Sequence, residues 1–161
     1  MAHRARHFVL SRESLVSSVR TAIASTASLL LARTLKLPEF YWAPISTIVV
    51  LLSTINPLTL GWQRFAGTAI GAVIGAGIAS LPQHNWLVYG LGIFFCGILS
   101  SASRLGAAYR FAAITLSIIL LIAHNRPPWL VAVDRFIEVS LGIAVALLVT
   151  IAWPVAVQEP R

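Results

Sequence analysis

From Phe65 to Ser80 the chain carries no charge, and within this stretch Gly67, Gly71 and Gly75 recur every four residues, with Thr68 and Ala72 beside them. Positions four apart lie on one face of an α-helix. The glycines therefore form a bare groove into which a neighbouring backbone can settle, a common way of holding helices together in lipid. In water each of them would cost about 1 kcal/mol of helix propensity relative to Ala. The stretch makes sense as a packing helix of a membrane bundle and poor sense as a soluble helix. It also lacks the Gly-x-Gly-x-x-Gly order and the strand-plus-acidic-residue context of a dinucleotide-binding loop.

Composition agrees with lipid as the solvent. Of 161 residues, 58 % are hydrophobic and only 11 % charged, with a mean hydropathy of +0.85; soluble domains are about 25 % charged. The net charge of +7 could suggest nucleic acid. The basic residues, however, are scattered between apolar runs and form no stripe, so no nucleic-acid partner is expected. Cys96 is the only cysteine and lies within the apolar run Ile93–Gly97. It reads as a buried, inert thiol, which excludes an intrachain disulfide and a thiolate metal cluster. No metal and no cofactor are expected. Met1–Ser14 is polar and basic without a cleavage pattern, so the first apolar stretch is expected to be retained.

Cutting at turn and charge signals gives about six spans of the roughly 17–25 residues a bilayer helix needs. They run over Leu15–Leu35, Ala43–Leu60, Phe65–Leu81, Trp86–Ser101, Ala108–Ala123 and Val131–Trp153. Pro44 suits a first helical turn, Pro57 is expected to end or kink the second span, and Pro127-Pro128 separates the last two. With the N-terminus inside, Arg4, Arg6, Arg12, Arg64, Arg104 and Arg110 fall on the cytoplasmic side, and Arg33, Lys36, Arg126 and Arg135 outside, the sign that membrane proteins favour. Trp42, Trp86, Trp129 and Trp153 sit at span ends, where indoles favour the interface. The expected fold is an all-α, polytopic membrane bundle of about six transmembrane helices over 15–154. Cytoplasmic tails cover 1–14 and 155–161, both termini lying inside. Arg64-Phe65 with Gly71 resembles Arg135-Phe136 with Gly142, and the segment from Arg20 loosely resembles that from Arg110, but the two offsets differ by about one span, so an internal repeat carries little weight.

Enzyme chemistry is not expected. His3 and His7 fall in the tail and His84 and His124 in loops. No metalloprotease helix, nucleophile elbow or phosphate-binding loop is present. Asp134, Arg135 and Glu138 are the informative ionisable group. Asp134 and Glu138 are four apart on the sixth span, and Arg135 is placed to pair with Glu138. Such residues are expensive at membrane depth. They either end the helix in the headgroup region or serve a substrate or a proton. Ser14, Ser18, Thr21, Ser25 and Ser28 share a face of the first span. Like Ser46 with Ser53 and Thr47 with Thr54, they suit interhelical hydrogen bonds or a hydrated lining.

The order Tyr41-Trp42-Ala43-Pro44-Ile45-Ser46, Arg64 with Gly67-Thr68 and Gly71, Tyr109-Arg110, and Asp134-Arg135 with Gly142 resembles the membrane half of the fusaric-acid-resistance-like (FUSC) family, which includes aromatic acid exporters. The likeness runs from about Arg20 to Pro154. It implies an inner-membrane exporter of small amphipathic organic anions of the aromatic carboxylate type. Arg20, Arg64 and Arg110 would attract the anion through their guanidinium forks or else anchor the cytoplasmic side. Trp42 and Tyr109 would stack on a ring, and Glu138, with Asp134 and Arg135, would couple a proton. Many members are longer, with a cytoplasmic domain and a second membrane block, so a homo-oligomer is expected to supply the missing half. The alternative is a non-transporting membrane module serving as partner subunit or scaffold.

Overall fold

The computed structural model describes residues 12–81, 85–102, 107–122 and 126–154. The terminal stretches 1–11 and 155–161, with Arg104, His84 and His124, lie outside them. The described residues form six helices and no strand: α1 (Arg12–Thr34), α2 (Trp42–Leu51), α3 (Pro57–Ala79), α4 (Trp86–Ala102), α5 (Ala108–Leu121) and α6 (Pro128–Ala152).

Four of the six follow the apolar spans to within a few residues. The second and third do not: α2 ends at Leu51, and Pro57 opens α3. The reason is local. The Asn56 side chain accepts the Leu58 N–H at 2.9 Å, a capping contact, and Pro57 takes the first helical position, where its missing N–H leaves nothing unpaired. The Asn-Pro pair therefore starts a helix.

α1 ends in a two-bond Schellman turn. The Leu37 N–H returns to the Ala32 carbonyl and the Lys36 N–H to the Arg33 carbonyl, at 3.1 and 3.0 Å, with Lys36 in the left-handed region at φ 54°. Glycine is the usual residue there. Lys36→Gly is expected to stabilise the protein by about 0.5–1 kcal/mol, read as a higher unfolding midpoint in detergent.

Contacts along the helices fix their directions. Backbone around Gly67, Gly71 and Gly75 of α3 meets Ala108, Ala112 and Leu116 of α5 in the same order, so these two run parallel. Between α4 and α5, Tyr89 meets Ser117 and Gly97 meets Tyr109, so they run antiparallel. Likewise Phe65 stacks near Phe136 while Gly61 faces Ile143, so α3 opposes α6. Trp42 lies by Arg135 and Thr47 by Gly142, so α2 runs with α6. Arg20 at the start of α1 reaches Thr150 at the end of α6. Successive helices thus alternate in direction. The end carrying residues 35–41 and the first turns of α2 and α6 is called the upper end, the opposite one the lower.

At 1.5 Å per residue, the 10 residues of α2 span only about 15 Å. Trp42 sits beside Arg135, seven residues into α6 and so about 10 Å below Pro128. The α1–α2 connection therefore lies alongside the upper turns of α6 instead of above them.

Candidate functional site

The distribution of polar and apolar groups is inverted relative to a water-soluble protein. Val73, Trp86 and Ile151 are 74 %, 78 % and 77 % exposed, while Arg20, Arg64, Arg135 and Glu138 are buried. An apolar surface this extensive would associate in water; facing lipid it costs nothing. Ser46, Thr47, Thr68, Ser100 and Thr115 are buried with the charges, where hydroxyls can serve interhelical bonds. Trp86 and Trp129 stand exposed at the upper ends of their helices, and Trp62 and Trp153 at the lower, as expected of interface indoles. Trp42 is half-buried instead.

Near the upper end, α6 and the α1–α2 connection build a charged cluster. Arg135, 2 % exposed, lies with its guanidinium 3.8 Å above the Trp42 indole and pairs with the Glu39 carboxylate at 2.5 Å. Tyr41 is a further neighbour. Glu138, three residues along α6, is fully buried, and its carboxylate accepts the backbone N–H of Glu39 at 2.8 Å. Arg135 is thus held by Glu39, from 96 positions away in sequence, and not by the nearer Glu138. Asp134 turns aside to Arg126 at 2.7 Å. Arg135 Nε and Nη1, Trp42 Nε1 and Glu138 Oε2 are buried with no hydrogen-bond partner among the described residues. The cluster therefore combines one guanidinium and two carboxylates with unused donors and an unused acceptor.

Deeper in the bundle lies a second site. Arg64, 8 % exposed, donates from Nη2 to the Ser46 hydroxyl at 3.1 Å, and its guanidinium stands 4.9 Å from the Phe111 ring centroid. Ser46 Oγ in turn donates to the Trp42 carbonyl at 2.8 Å, which fixes its lone pairs toward Arg64. Arg64 Nε is buried with no hydrogen-bond partner among the described residues. Among the described side chains no carboxylate pairs with this arginine. A buried cation held only by a hydroxyl and a ring face is under-compensated, and it presents unused guanidinium donors to any anion that reaches it.

The helices close around both sites through glycine. A Cβ on Gly142 would run into the Ala43 carbonyl oxygen and stand 2.6 Å from the Ser46 Cβ. Where α2 and α6 touch, the Thr47 hydroxyl donates to the Gly142 carbonyl at 2.9 Å, shared with Ala43 of its own helix at 3.1 Å. Gly142 thus sets how close Ser46, and through it Arg64, comes to α6. Gly67, Gly71 and Gly75 do the same between α3 and α5, bringing Phe111 under Arg64.

The remaining sequence candidates fall elsewhere. Arg20 is buried against Thr150 at 3.0 Å near the lower end. Arg110 is exposed, with its guanidinium 5.1 Å from the same Phe111 ring that Arg64 approaches. Tyr109, 40 % exposed, lies by Gly97. Glu39, Ser46 and Phe111 complete the two sites. Glu39 stood in sequence as the one acidic residue of the short connection after the first span, with no periodic signal linking it to α6.

An inverted six-helix arrangement with buried arginines defines an integral membrane helical bundle. The profile of the fusaric acid resistance protein-like family matches residues 23–149, and the chain belongs to that family. It is also similar to the inner membrane protein YeeA of Escherichia coli (strain K12), 27 % identical over 150 residues that cover 87 % of this chain and 41 % of that protein. The chain thus spans less than half the length of this relative. No solved structure matches. Family and relative agree with an inner-membrane location.

Proposed function

We propose that this protein exports small amphipathic organic anions of the aromatic carboxylate type across the inner membrane by alternating access, with both termini in the cytoplasm and the upper end outside. Arg64 carries the reading. It is a buried guanidinium whose polar and ring contacts among the described residues are a hydroxyl and an aromatic face, so a carboxylate arriving there finds a positive charge and a ring together. A guanidinium fork binds a carboxylate through two parallel bonds. Arg110, exposed and also near the Phe111 ring, is suited to gather anions at the lower, cytoplasmic end. The organic-acid class is supported by the family's name and by the aromatic lining.

Glu138 is the candidate proton carrier. One guanidinium cannot neutralise both Glu39 and Glu138, and an uncompensated charge inside a membrane is expensive. A proton is the smallest partner that balances the cluster. Arg20 bonds Thr150 across α1 and α6, which suits it to hold those helices together at the lower end. A homo-oligomer belongs to the same proposal, closed dimers being the commonest assemblies.

The test is uptake of labelled 4-hydroxybenzoate by reconstituted vesicles under a pH gradient, beside a detergent-corrected mass. Gradient-dependent accumulation by a dimer or larger assembly is the expected result. No flux for any organic acid tested would sink the export reading and leave the partner-subunit alternative.

A further inference from the structure

We propose that Arg135 and Trp42 form an outer binding subsite for a carboxylate, and that the side chain of Glu39 occupies this subsite in the closed state as a built-in substitute for the ligand. The inference takes its ligand class from the export reading and adds a second station to it, nearer the outer face.

The geometry already contains a carboxylate on a guanidinium. Glu39 Oε2 lies 2.5 Å from Arg135 Nη2. The cradle offers more than Glu39 uses, since Arg135 Nε and Nη1 and Trp42 Nε1 are buried donors without hydrogen-bond partners among the described residues. With the Tyr41 side chain also close to the guanidinium, donors left over around one carboxylate describe a place shaped for a ligand that accepts more bonds. A free carboxylate with two oxygens and no backbone constraint can engage the guanidinium as a fork. The indole beneath holds the guanidinium plane in place and supplies apolar surface for the ligand's body.

Glu39 is also placed to leave. Its side chain remains 23 % exposed while that of Arg135 is 3 % exposed, so of the two it is the carboxylate that already reaches the surface. It sits on residues 35–41, which form turns between α1 and α2; its carbonyl accepts the Trp42 N–H at 3.0 Å, and its ties to α6 are the N–H bond to Glu138 and the ion pair itself. The same residue thus bars the subsite and seals the side of α6 near the upper end. A substrate carboxylate rising from Arg64 would displace Glu39, free residues 35–41 and open the way out. After release, Glu39 returns to Arg135, so the arginine is never left buried and unpaired, a strongly unfavourable state. The return also hinders the anion from coming back.

An intramolecular competitor at millimolar effective concentration weakens the apparent affinity of a free ligand. Glu39→Gln keeps the size of the side chain and the N–H to Glu138 but removes the charge. In purified full-length protein it is expected to bind 4-hydroxybenzoate about tenfold more tightly than wild type, and adding Arg135→Lys should abolish the gain. A second measurement needs no variant. In wild-type protein, amide exchange over residues 35–41 should accelerate on adding 4-hydroxybenzoate, because displaced Glu39 releases its bond to Glu138. Unchanged affinity in Glu39→Gln together with unchanged exchange overturns the proposal. If wild-type vesicles accumulate the acid while both readouts stay flat, the outer subsite is wrong and export stands. If exchange responds to the acid but no flux is found, the subsite stands and export falls.

Discussion

Gly71→Leu leaves little or no folded protein, whereas Gly77→Leu on the same helix is tolerated. A Cβ at position 71 would collide with the Ala112 carbonyl oxygen and stand 2.9 Å from both the Ala112 Cα and the Thr115 Cβ. Two of these three atoms are backbone and cannot turn aside as a side chain can. α3 and α5 would have to separate, and with them Phe111 would leave Arg64. Overpacking a core ordinarily costs about 1–3 kcal/mol, and a branched side chain driven into a backbone lies at or beyond the top of that range. At Gly77 an added Cβ meets nothing within 4 Å, so leucine there simply joins the lipid-facing surface. Size-exclusion chromatography of the two variants in mild detergent separates the cases. A monodisperse Gly71→Leu protein would show that α3 and α5 do not meet at the glycine row.

Removing the charge of Glu138 while keeping its shape is expected to separate transport from its driving force. Glutamine retains a carbonyl oxygen for the Glu39 N–H now bonded at 2.8 Å, so the upper end should still close. The variant can no longer take up and release a proton. Accumulation driven by a pH gradient should fall to its level without a gradient, while exchange of labelled for unlabelled acid stays within about threefold of wild type, since a neutral side chain preserves the packing. Glu138→Ala is a different experiment. It strands the Glu39 N–H and leaves Arg135 with one carboxylate fewer, and losing one member of a buried charged group typically costs about 3–5 kcal/mol, so it should destabilise the protein as well. Full gradient-driven accumulation by Glu138→Gln would assign the proton elsewhere.

How much of this was legible in the sequence depends on the range of the interaction. The helices were legible because apolar runs bounded by proline, tryptophan and arginine report on local burial alone. The break between α2 and α3 was read on the wrong side, since proline stops a helix behind it and starts one ahead of it. Which it does here is decided by the Asn56 cap. The placement of Asp134, Arg135 and Glu138 on one helix followed from spacing. Their partners did not, because a helical period is blind to a loop residue nearly a hundred positions away. Nearest-neighbour pairing within α6 gave way to Glu39, whose backbone and carboxylate reach Glu138 and Arg135 together. Trp42 likewise looked like an interface indole by position, yet it lies under a guanidinium, a contact that no single-helix pattern encodes.

The measurement closest to the central claim compares wild type with Arg64→Gln, reconstituted in equal amounts and equally monodisperse, for uptake of labelled 4-hydroxybenzoate under a pH gradient. Glutamine can still bond the Ser46 hydroxyl, but it carries no charge for a carboxylate. Wild type is predicted to accumulate the acid and Arg64→Gln to retain less than about a tenth of that rate, a loss of at least one factor of ten for a charge-assisted contact. Equal uptake by the two proteins would contradict the assignment of the buried Arg64 as the anion's station.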